Sequence, residues 1–200
     1  MQTELPASSA EAIELLKGYG AVEEGHFLLA SGNHSNFFVK KGKLVQHPWE
    51  LQKMIEQRAE ALGELGSIGA VLSPAMGGVP VGQQVGLALH ARHIYAERNT
   101  ATNEMELKRG FEIQPGEGVL LVEDVMTTGG TLLELTDFVA QRGGVIRGVF
   151  VIVNRSGKTE LAGFPVVSCM EVELQIYPPD AVPDWLQAVP LVRPGTKRVE

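Results

Sequence analysis

The sequence predicts an α/β fold with a mostly parallel, twisted sheet that is flanked by helices on both faces. Short aliphatic runs alternate with helical patterns from Ile68 to Cys169, as expected of successive β-α-β units. Within them, Val119–Val122 is an unbroken apolar run, typical of a strand buried on both faces of a parallel sheet. A length of 200 residues suits one such domain with a small appendage.

The N-terminal third contains two helix signals and a hairpin signal. Ser8 and Glu11 have the spacing of a capping box, which predicts a short first helix. Two β-like runs then flank a Ser-Gly-Asn turn, which predicts a hairpin or a pair of strands over residues 24–40. A proline suits the first position of a helix, so we expect a helix from Pro48 to about Leu62 with its apolar residues on one face.

The rest of the chain continues the alternation and ends in a proline-rich tail. Residues 98–110 are polar and show little periodicity, which predicts an exposed loop or ribbon. The other predicted elements are a strand over Ile68–Leu72, a helix over Val79–His90, a strand over His93–Glu97, a strand over Val145–Val153 and a β-like run over Pro165–Cys169.

Composition narrows the classes of function. The net charge of −7 argues against a dedicated nucleic-acid surface, which needs a basic patch, but it is compatible with a locally positive site for a small anion. The polar N-terminus and the lack of a long apolar run predict a cytoplasmic protein without a membrane partner. Cys169 is the single cysteine, and its apolar surroundings predict a core residue rather than a reactive thiol. The five histidines show no metal-ligand spacing.

The stretch from Val119 to Thr131 has the layout of a phosphate-binding turn. A buried strand is followed by Glu123 and Asp124, then by a turn of hydroxyl residues and glycines, then by a helix that ends near Gly143. Glycines let backbone N–H groups approach a phosphate closely, and the helix N-terminus adds partial positive charge. The two carboxylates are better suited to a sugar diol or to a hydrated Mg²⁺ that travels with the ligand.

This stretch resembles the phosphoribosyl pyrophosphate (PRPP) signature of type I phosphoribosyltransferases. The resemblance implies the fold of that family and places Glu123 and Asp124, the expected catalytic acids, at the ribose hydroxyls. It implies that Mg²⁺ is carried by PRPP near Asp124, with no metal held directly by the protein. The residues expected around the 5′-phosphate are Thr127, Thr128, Gly129, Gly130 and Thr131. The alternative is an ordinary βα turn with exposed acids.

Two further segments acquire roles from the same resemblance. The glycine-rich turn that contains Ala75, Met76 and Gly77 looks like the pyrophosphate loop. Some phosphoribosyltransferases that act on orotate have a lysine where this chain has Gly77. We therefore expect backbone groups and side chains from elsewhere in the chain to hold the pyrophosphate. The polar ribbon corresponds to the catalytic loop that closes over PRPP, often in a partner subunit's site. Its candidate PRPP-binding cations are Arg98, Lys108 and Arg109, with Arg98 and Lys108 also expected to be catalytic.

The hairpin over residues 24–40 is similar to the N-terminal hood of orotate phosphoribosyltransferases. Its F-x-L-x-S-G-x-x-S-x-aromatic-aromatic run implies that Phe37 and Phe38 lie by the orotate ring, with Ser31 at the ring's polar edge. Many members carry a lysine where this chain has Ala30. Arg155, after the strand that ends at Val153, is expected to meet the orotate carboxylate. Thr128 is also expected at the orotate. The alternatives are core phenylalanines and a surface arginine.

The resemblance as a whole implies transfer of the phosphoribosyl group from PRPP to orotate, which gives orotidine 5′-monophosphate and pyrophosphate. It implies Mg²⁺ as cofactor, a homodimer, and a single domain with a hood of about 1–47 plus 171–200 over a core of about 48–170. Nucleic acid is not an expected partner. Two rival functions are a purine phosphoribosyltransferase and a non-catalytic, PRPP-sensing regulator that binds nucleic acid.

Overall fold

The computed structural model describes residues 4–29 and 31–194 as two sheets with helices packed around them. Ala30 lies outside the described residues, so the prediction attached to that position has no structural counterpart here. The helices are α1 (Ser9–Gly18), α2 (Lys41–Val45), α3 (Pro48–Glu56), α4 (Ala59–Gly63), α5 (Val79–Leu89), α6 (Gly130–Ala140) and α7 (Asp184–Gln187). The strands are β1 (Val22–Leu28), β2 (His34–Val39), β3 (Ala70–Pro74), β4 (Arg92–Arg98), β5 (Met105–Leu107), β6 (Gly118–Met126), β7 (Val145–Asn154), β8 (Glu160–Leu161), β9 (Phe164–Glu171), β10 (Ile176–Tyr177) and β11 (Leu191–Val192).

The larger sheet confirms the predicted α/β class. Its seven strands have the order β5-β4-β3-β6-β7-β9-β8. The five strands β4, β3, β6, β7 and β9 are parallel, and the short strands β5 and β8 pair antiparallel at the two ends. The chain moves outward from β3 to β4 and then returns to place β6 on the other side of β3. The carboxyl ends of β3 and β6 therefore meet at the topological switch point, where open α/β sheets bind ligands.

Apolar side chains cover both faces of this sheet. Along β6, Leu120 and Val122 point to a core that also contains residues of α1, α3, α4 and α5. Val119 and Leu121 point to the opposite face, where α6 packs. This alternation is the physical reason for the uninterrupted apolar run in the sequence, because a central strand buries both of its faces. Cys169 is fully buried in the first core, and burial raises the pKa of its thiol to about 12.

The smaller sheet, here called the hood, combines strands from the beginning and the end of the described chain. Its order is β10-β2-β1-β11, with β1 and β2 forming the predicted antiparallel hairpin. The tail strands β10 and β11 pair with β2 and β1, and Ser35 Oγ donates a hydrogen bond to the carbonyl oxygen of Gln175 at 2.9 Å. The proline-rich tail is thus part of the hood sheet.

Several predicted boundaries were wrong. The helix predicted from Pro48 to Leu62 is broken into α3 and α4, because Arg58 leaves helical geometry and its guanidinium donates to the carbonyl oxygen of Cys169. The strand predicted over Val119–Val122 continues to Met126 through pairing with β7. Helix α2 was not predicted. Among the described residues, no helix is long and apolar enough to cross a lipid bilayer.

Candidate active site

A cavity of about 440 Å³ lies where the hood faces the carboxyl ends of β6 and β7. It opens beside the switch point, so the fold places it where ligands of such sheets bind. Its lining combines one acid, hydroxyls, glycines and two cations with an aromatic ring. The described lining residues are Phe38, Val39, Lys41, Glu123, Val125, Thr127, Thr128, Gly129, Gly130, Thr131 and Arg155.

Asp124 is buried on β6 beside the cavity. Its Oδ1 accepts hydrogen bonds from Lys41 Nζ at 3.0 Å and from the Val125 backbone N–H at 2.7 Å. The residue is only 2% exposed, so the position of this carboxylate is set by the strand and by the lysine rather than by solvent. A charge-assisted hydrogen bond of this kind is stronger than a neutral one. The strand and the lysine therefore hold this carboxylate in a fixed position at the carboxyl end of β6.

Glu123 points into the cavity on the other side of the strand. Successive residues of a strand point to opposite faces, which separates the two carboxylates and gives them different surroundings. Burial, and secondarily the negative charge of Asp124, raises the pKa of Glu123 to about 7, while Lys41 acts in the opposite direction. Glu123 thus changes protonation near neutral pH.

The turn after β6 has the geometry of an anion site. Gly129 has a φ of +83°, a conformation that a side chain would strain, and a Cβ there would lie 2.8 Å from Leu161 Cδ1. The Thr128 hydroxyl accepts from the Gly130 N–H at 3.4 Å. The first N–H groups of α6 face the cavity side of this turn, where a phosphate would be favoured by the helix dipole. All five turn residues predicted for the 5′-phosphate line the cavity.

Arg155 lies at the end of β7 and lines the cavity. Its backbone N–H donates to the carbonyl oxygen of Met126 at 2.8 Å, which ties this residue to the end of β6. Its Nε is buried without a hydrogen-bond partner, and burial lowers the pKa of the guanidinium. A buried, unpartnered donor of an arginine fork is suited to a planar anion such as a carboxylate.

The two hood phenylalanines point in opposite directions. Phe38 lines the cavity and packs against Phe27, with ring centroids 5.6 Å apart. Phe37 packs instead against the first core, with Lys17 Nζ 5.8 Å from its ring centroid. The prediction for Phe37 needs correction, because strand alternation turns its ring into the first core while Phe38 lines the cavity. Ser31 is in an exposed turn, where its Oγ accepts from the Asn33 N–H, and is not among the described lining residues.

The turn after β3 lies next to Asp124. A Cβ added to Gly77 would lie 2.6 Å from Asp124 Oδ2 and 3.3 Å from Lys41 Nζ. The peptide bond between Ala75 and Met76 is cis, and the Met76 side chain is 77% exposed. The structure therefore brings the predicted pyrophosphate turn to the acidic end of β6, although its residues are outside the described cavity lining.

The three cations of the polar ribbon are not brought to the cavity. This segment is a β4–β5 ribbon, and each of its basic side chains pairs with an acid at its surface. Arg98 pairs with Glu134 of α6, Lys108 with Glu106, and Arg109 with Glu97. The predicted PRPP contacts of Arg98, Lys108 and Arg109 have no counterpart within this single chain.

Lys41 is a site residue that the sequence analysis missed. It is the first residue of α2, directly after the hairpin, and it lies 83 positions before Asp124 in the chain. The available signal was the basic run Lys40-Lys41-Gly42-Lys43 at the end of a strand with an aromatic pair. Nothing in that run distinguishes Lys41 from its neighbours until the hood is folded onto β6.

The donors of the site fit a magnesium ion that enters with an anionic ligand. Within residues 4–29 and 31–194, no cluster of three or more His, Cys, Asp or Glu side chains is arranged to hold a metal by itself. Glu123 and Asp124 supply carboxylate oxygens, which Mg²⁺ prefers, and ligand oxygens would have to complete its coordination. Mg²⁺ commonly binds in this way, through one or two carboxylates plus substrate phosphates.

Comparison with known proteins decides the family. Residues 40–182 match the model of the phosphoribosyl transferase domain. The chain is 38% identical over 189 residues to the orotate phosphoribosyltransferase of Desulforamulus reducens, which covers 94% of this chain and 97% of that one. It is 40% identical over 191 residues to the orotate phosphoribosyltransferase of Chlorobium phaeobacteroides, with 95% and 97% covered.

The chain belongs to the orotate phosphoribosyltransferase family. This confirms the family predicted from the PRPP signature and the hood, and it confirms an enzyme rather than a regulator. Solved orotate phosphoribosyltransferases share the fold: that of Aeropyrum pernix superposes with a TM-score of 0.67 and 25% identity, over 79% of this chain and 92% of that one. The adenine phosphoribosyltransferase of Thermoanaerobacter pseudethanolicus has a TM-score of 0.57 at 18% identity, over 68% of this chain and 88% of that one, which shows the fold alone.

Proposed function

We propose that this chain transfers the phosphoribosyl group of PRPP to orotate, giving orotidine 5′-monophosphate and pyrophosphate in pyrimidine synthesis. The single observation that carries the proposal is the cavity, where Glu123, the Thr-Gly turn and Arg155, whose Nε has no hydrogen-bond partner, line one space, with Asp124 beside it. The 37–40% identity to proteins named orotate phosphoribosyltransferase supports the same substrate.

The turn of α6 would bind the 5′-phosphate of PRPP, and the acids at the end of β6 would bind its ribose hydroxyls. Orotate would enter from the hood side, with its ring against Phe38 and its carboxylate on Arg155. The two substrates would lie side by side near Thr128, which also lines the cavity. Holding both reactants in one orientation converts an encounter in solution into a step within one complex.

In the reaction, a bond forms between the orotate ring nitrogen and C1′ of the ribose while the bond from C1′ to pyrophosphate oxygen breaks. The nitrogen loses its proton, and the electron pair of the broken bond leaves with pyrophosphate. Positive charge develops at C1′ in the transition state. The fixed carboxylate of Asp124, together with ionised Glu123, would stabilise that charge from a preorganised position.

Mg²⁺, when bound, would neutralise charge on the leaving pyrophosphate. The ion would arrive with PRPP, and Asp124 is the carboxylate that would lie near it. The hood strands cover one side of the cavity and would limit the access of water, which otherwise hydrolyses the same bond.

The expected homodimer belongs to this proposal. Arg98, Lys108 and Arg109 pair with surface acids within one chain, so their predicted contacts with PRPP need a neighbouring subunit. Light scattering of the purified protein should give twice the mass of the chain. A monomer with full activity would remove the ribbon cations from the mechanism, because none of them lines the cavity of its own chain.

The decisive experiment follows the loss of orotate absorbance with purified protein, PRPP and Mg²⁺, beside adenine, hypoxanthine, xanthine and uracil. We expect turnover of orotate alone. Turnover of a purine would keep the PRPP half of the site and reject the roles of Phe38 and Arg155. If no base reacts although PRPP binds, the chain is not a transferase.

A further inference from the structure

The pyrophosphate group of PRPP carries several negative charges, and this chain must meet them in a partly enclosed site. Among the described residues that line the cavity, Lys41 and Arg155 are the only two with basic side chains. They come from different parts of the fold, Lys41 from α2 below the hood and Arg155 from the end of β7. Arg155 has the planar fork that suits a carboxylate, whereas Lys41 is a compact point charge that suits phosphate oxygens.

Lys41 Nζ lies between the acids of β6 and the turn after β3. It is 3.0 Å from Asp124 Oδ1 and 3.3 Å from the position that a Cβ on Gly77 would take. A side chain at position 77 would also come within 2.6 Å of Asp124 Oδ2, so this position cannot supply a side chain without displacing that carboxylate. The ammonium of Lys41 occupies this space from the opposite direction.

The pair between Lys41 and Asp124 leaves the lysine able to bind a second anion. The Asp124 side chain is 3% exposed, whereas that of Lys41 is 51% exposed and part of the cavity wall. An ammonium has three N–H donors, and the bond to Asp124 uses one of them. The carboxylate thus holds the ammonium in place and leaves two of its donors for another anion.

From these contacts we propose that Lys41 is the cation that binds the pyrophosphate group of PRPP in this chain. The inference rests on the proposed function and deepens it, since it assigns one residue of the hood to the leaving group. Lys41 of α2 and the Thr-Gly turn before α6 line the same cavity, so the two ends of PRPP would be held by different elements. Within the described chain, the basic residues of the ribbon are paired with acids outside this cavity.

The test is a binding measurement that needs no turnover. Calorimetry with inorganic pyrophosphate and Mg²⁺ should show an affinity for Lys41→Ala that is about 10- to 100-fold lower than for the wild type, as expected for loss of a hydrogen bond to a charged group. Lys43→Ala is the matched control, because Lys43 is an exposed lysine of the same short helix that is not in the described cavity lining. Lys41→Arg should retain most of the affinity.

A second ligand separates binding from a structural role. Ribose 5-phosphate contains the 5′-phosphate but no pyrophosphate, so its affinity should be the same in the wild type and in Lys41→Ala. In steady-state assays, the KM for PRPP should rise in this variant while the KM for orotate stays within about twofold. Equal losses of affinity for pyrophosphate and ribose 5-phosphate would overturn the proposal, as would an unchanged affinity for pyrophosphate.

A double-mutant cycle distinguishes direct contact between Lys41 and pyrophosphate from an effect transmitted through Asp124. If Lys41 contacts pyrophosphate directly, Lys41→Ala should still lower pyrophosphate affinity in an Asp124→Asn background. If the lysine only orients the carboxylate, no further loss will occur and the proposal fails. The outcome is independent of the acceptor base: a wild type that binds pyrophosphate through Lys41 but ignores orotate would refute the proposed function alone.

Discussion

Two cavities of nearly equal size, one at the sheet edge and one in the hood, differ in chemistry, and only the first of them suits a transferase. The cavity at the sheet edge measures about 440 Å³ and is lined by one acid, two cations and a glycine-rich turn, with Asp124 beside it. A cavity of about 460 Å³ in the hood lies between the His26–His34 pair and the tail, with mostly proline and aliphatic residues around it. His26 Nε2 and His34 Nδ1 are 2.6 Å apart, and His26 Nδ1 is 3.1 Å from the carbonyl oxygen of Val189.

The difference lies in what each cavity leaves unsatisfied. In the hood, the imidazoles bond to each other and to the backbone, so they join the hairpin to the tail. At the sheet edge, Arg155 Nε has no partner and burial disfavours the ionised form of Glu123. Groups held in unfavourable surroundings are more characteristic of functional sites than volume is. Substitutions at the sheet-edge cavity should therefore impair catalysis far more than a substitution in the hood cavity.

Asp124→Asn should lower kcat by about 100-fold or more, because the amide cannot stabilise positive charge at C1′. The side chains are similar in shape, so the circular dichroism spectrum should not change. Asp137→Asn, which alters an exposed carboxylate of α6, is the control and should retain full activity. Near-normal turnover of Asp124→Asn would remove this residue from the mechanism.

Arg155→Ala should raise the KM for orotate by about 10- to 100-fold and leave the KM for PRPP nearly unchanged, since a charged hydrogen bond to the base is lost. Arg155→Lys keeps the charge without the planar fork and should give an intermediate KM. The kinetics are measured with each substrate varied in turn. An unchanged KM for orotate in both variants would show that the guanidinium is only structural.

Glu123→Gln should change how stability depends on pH. The pKa of Glu123 is raised from 4.5 to about 7 in the folded protein, so between these values the folded state holds a proton that the unfolded state releases. The free energy of unfolding of the wild type should therefore fall as pH rises through this interval, by up to about 3 kcal/mol, and Glu123→Gln should lack that contribution. Urea unfolding of both proteins at pH 5 and pH 8 measures the difference.

His34→Ala should have the smallest effect on catalysis. It removes one partner of the histidine pair in the hood cavity, and we expect kcat/KM for both substrates to stay within about twofold of the wild type. Thermal unfolding should show a lower midpoint, because His26, which contacts the tail at the Val189 carbonyl oxygen, loses its partner His34. A large loss of kcat/KM at an unchanged midpoint would show that the hood cavity takes part in the reaction.

Local patterns predicted the parts of the site that are contiguous in sequence. The strand, acids, turn and helix over Val119–Thr131 follow one another in the chain, so their periodicity and glycines were sufficient. The direction of the Phe37 side chain could also have been predicted, because strand alternation places it on the face opposite to Phe38. The break at Arg58 was not, since the guanidinium bonds to a carbonyl 111 positions away.

Contacts between distant segments explain the remaining differences. Lys41 becomes a site residue only because the hood folds onto β6. The sequence does not distinguish it from the other two lysines of the same basic run. Arg98 looked suited to a phosphate because it follows a core strand, but Glu134 of α6 lies within ion-pair distance. Sequence patterns report which residue types are present, whereas pairing depends on which distant segments meet.

The composition of the hood has a consequence for how the protein is made on the ribosome. Strands β1 and β2 leave the exit tunnel early, but their edge partners β10 and β11 follow some 150 residues later. A nascent chain therefore holds an incomplete two-stranded hairpin while the sheet from β3 to β9 is being translated, and such open edges favour association with other chains. The hood over the substrate cavity is completed only after the sheet from β3 to β9 has been translated, so a chain released before β10 would have the phosphate-binding turn without its complete cover.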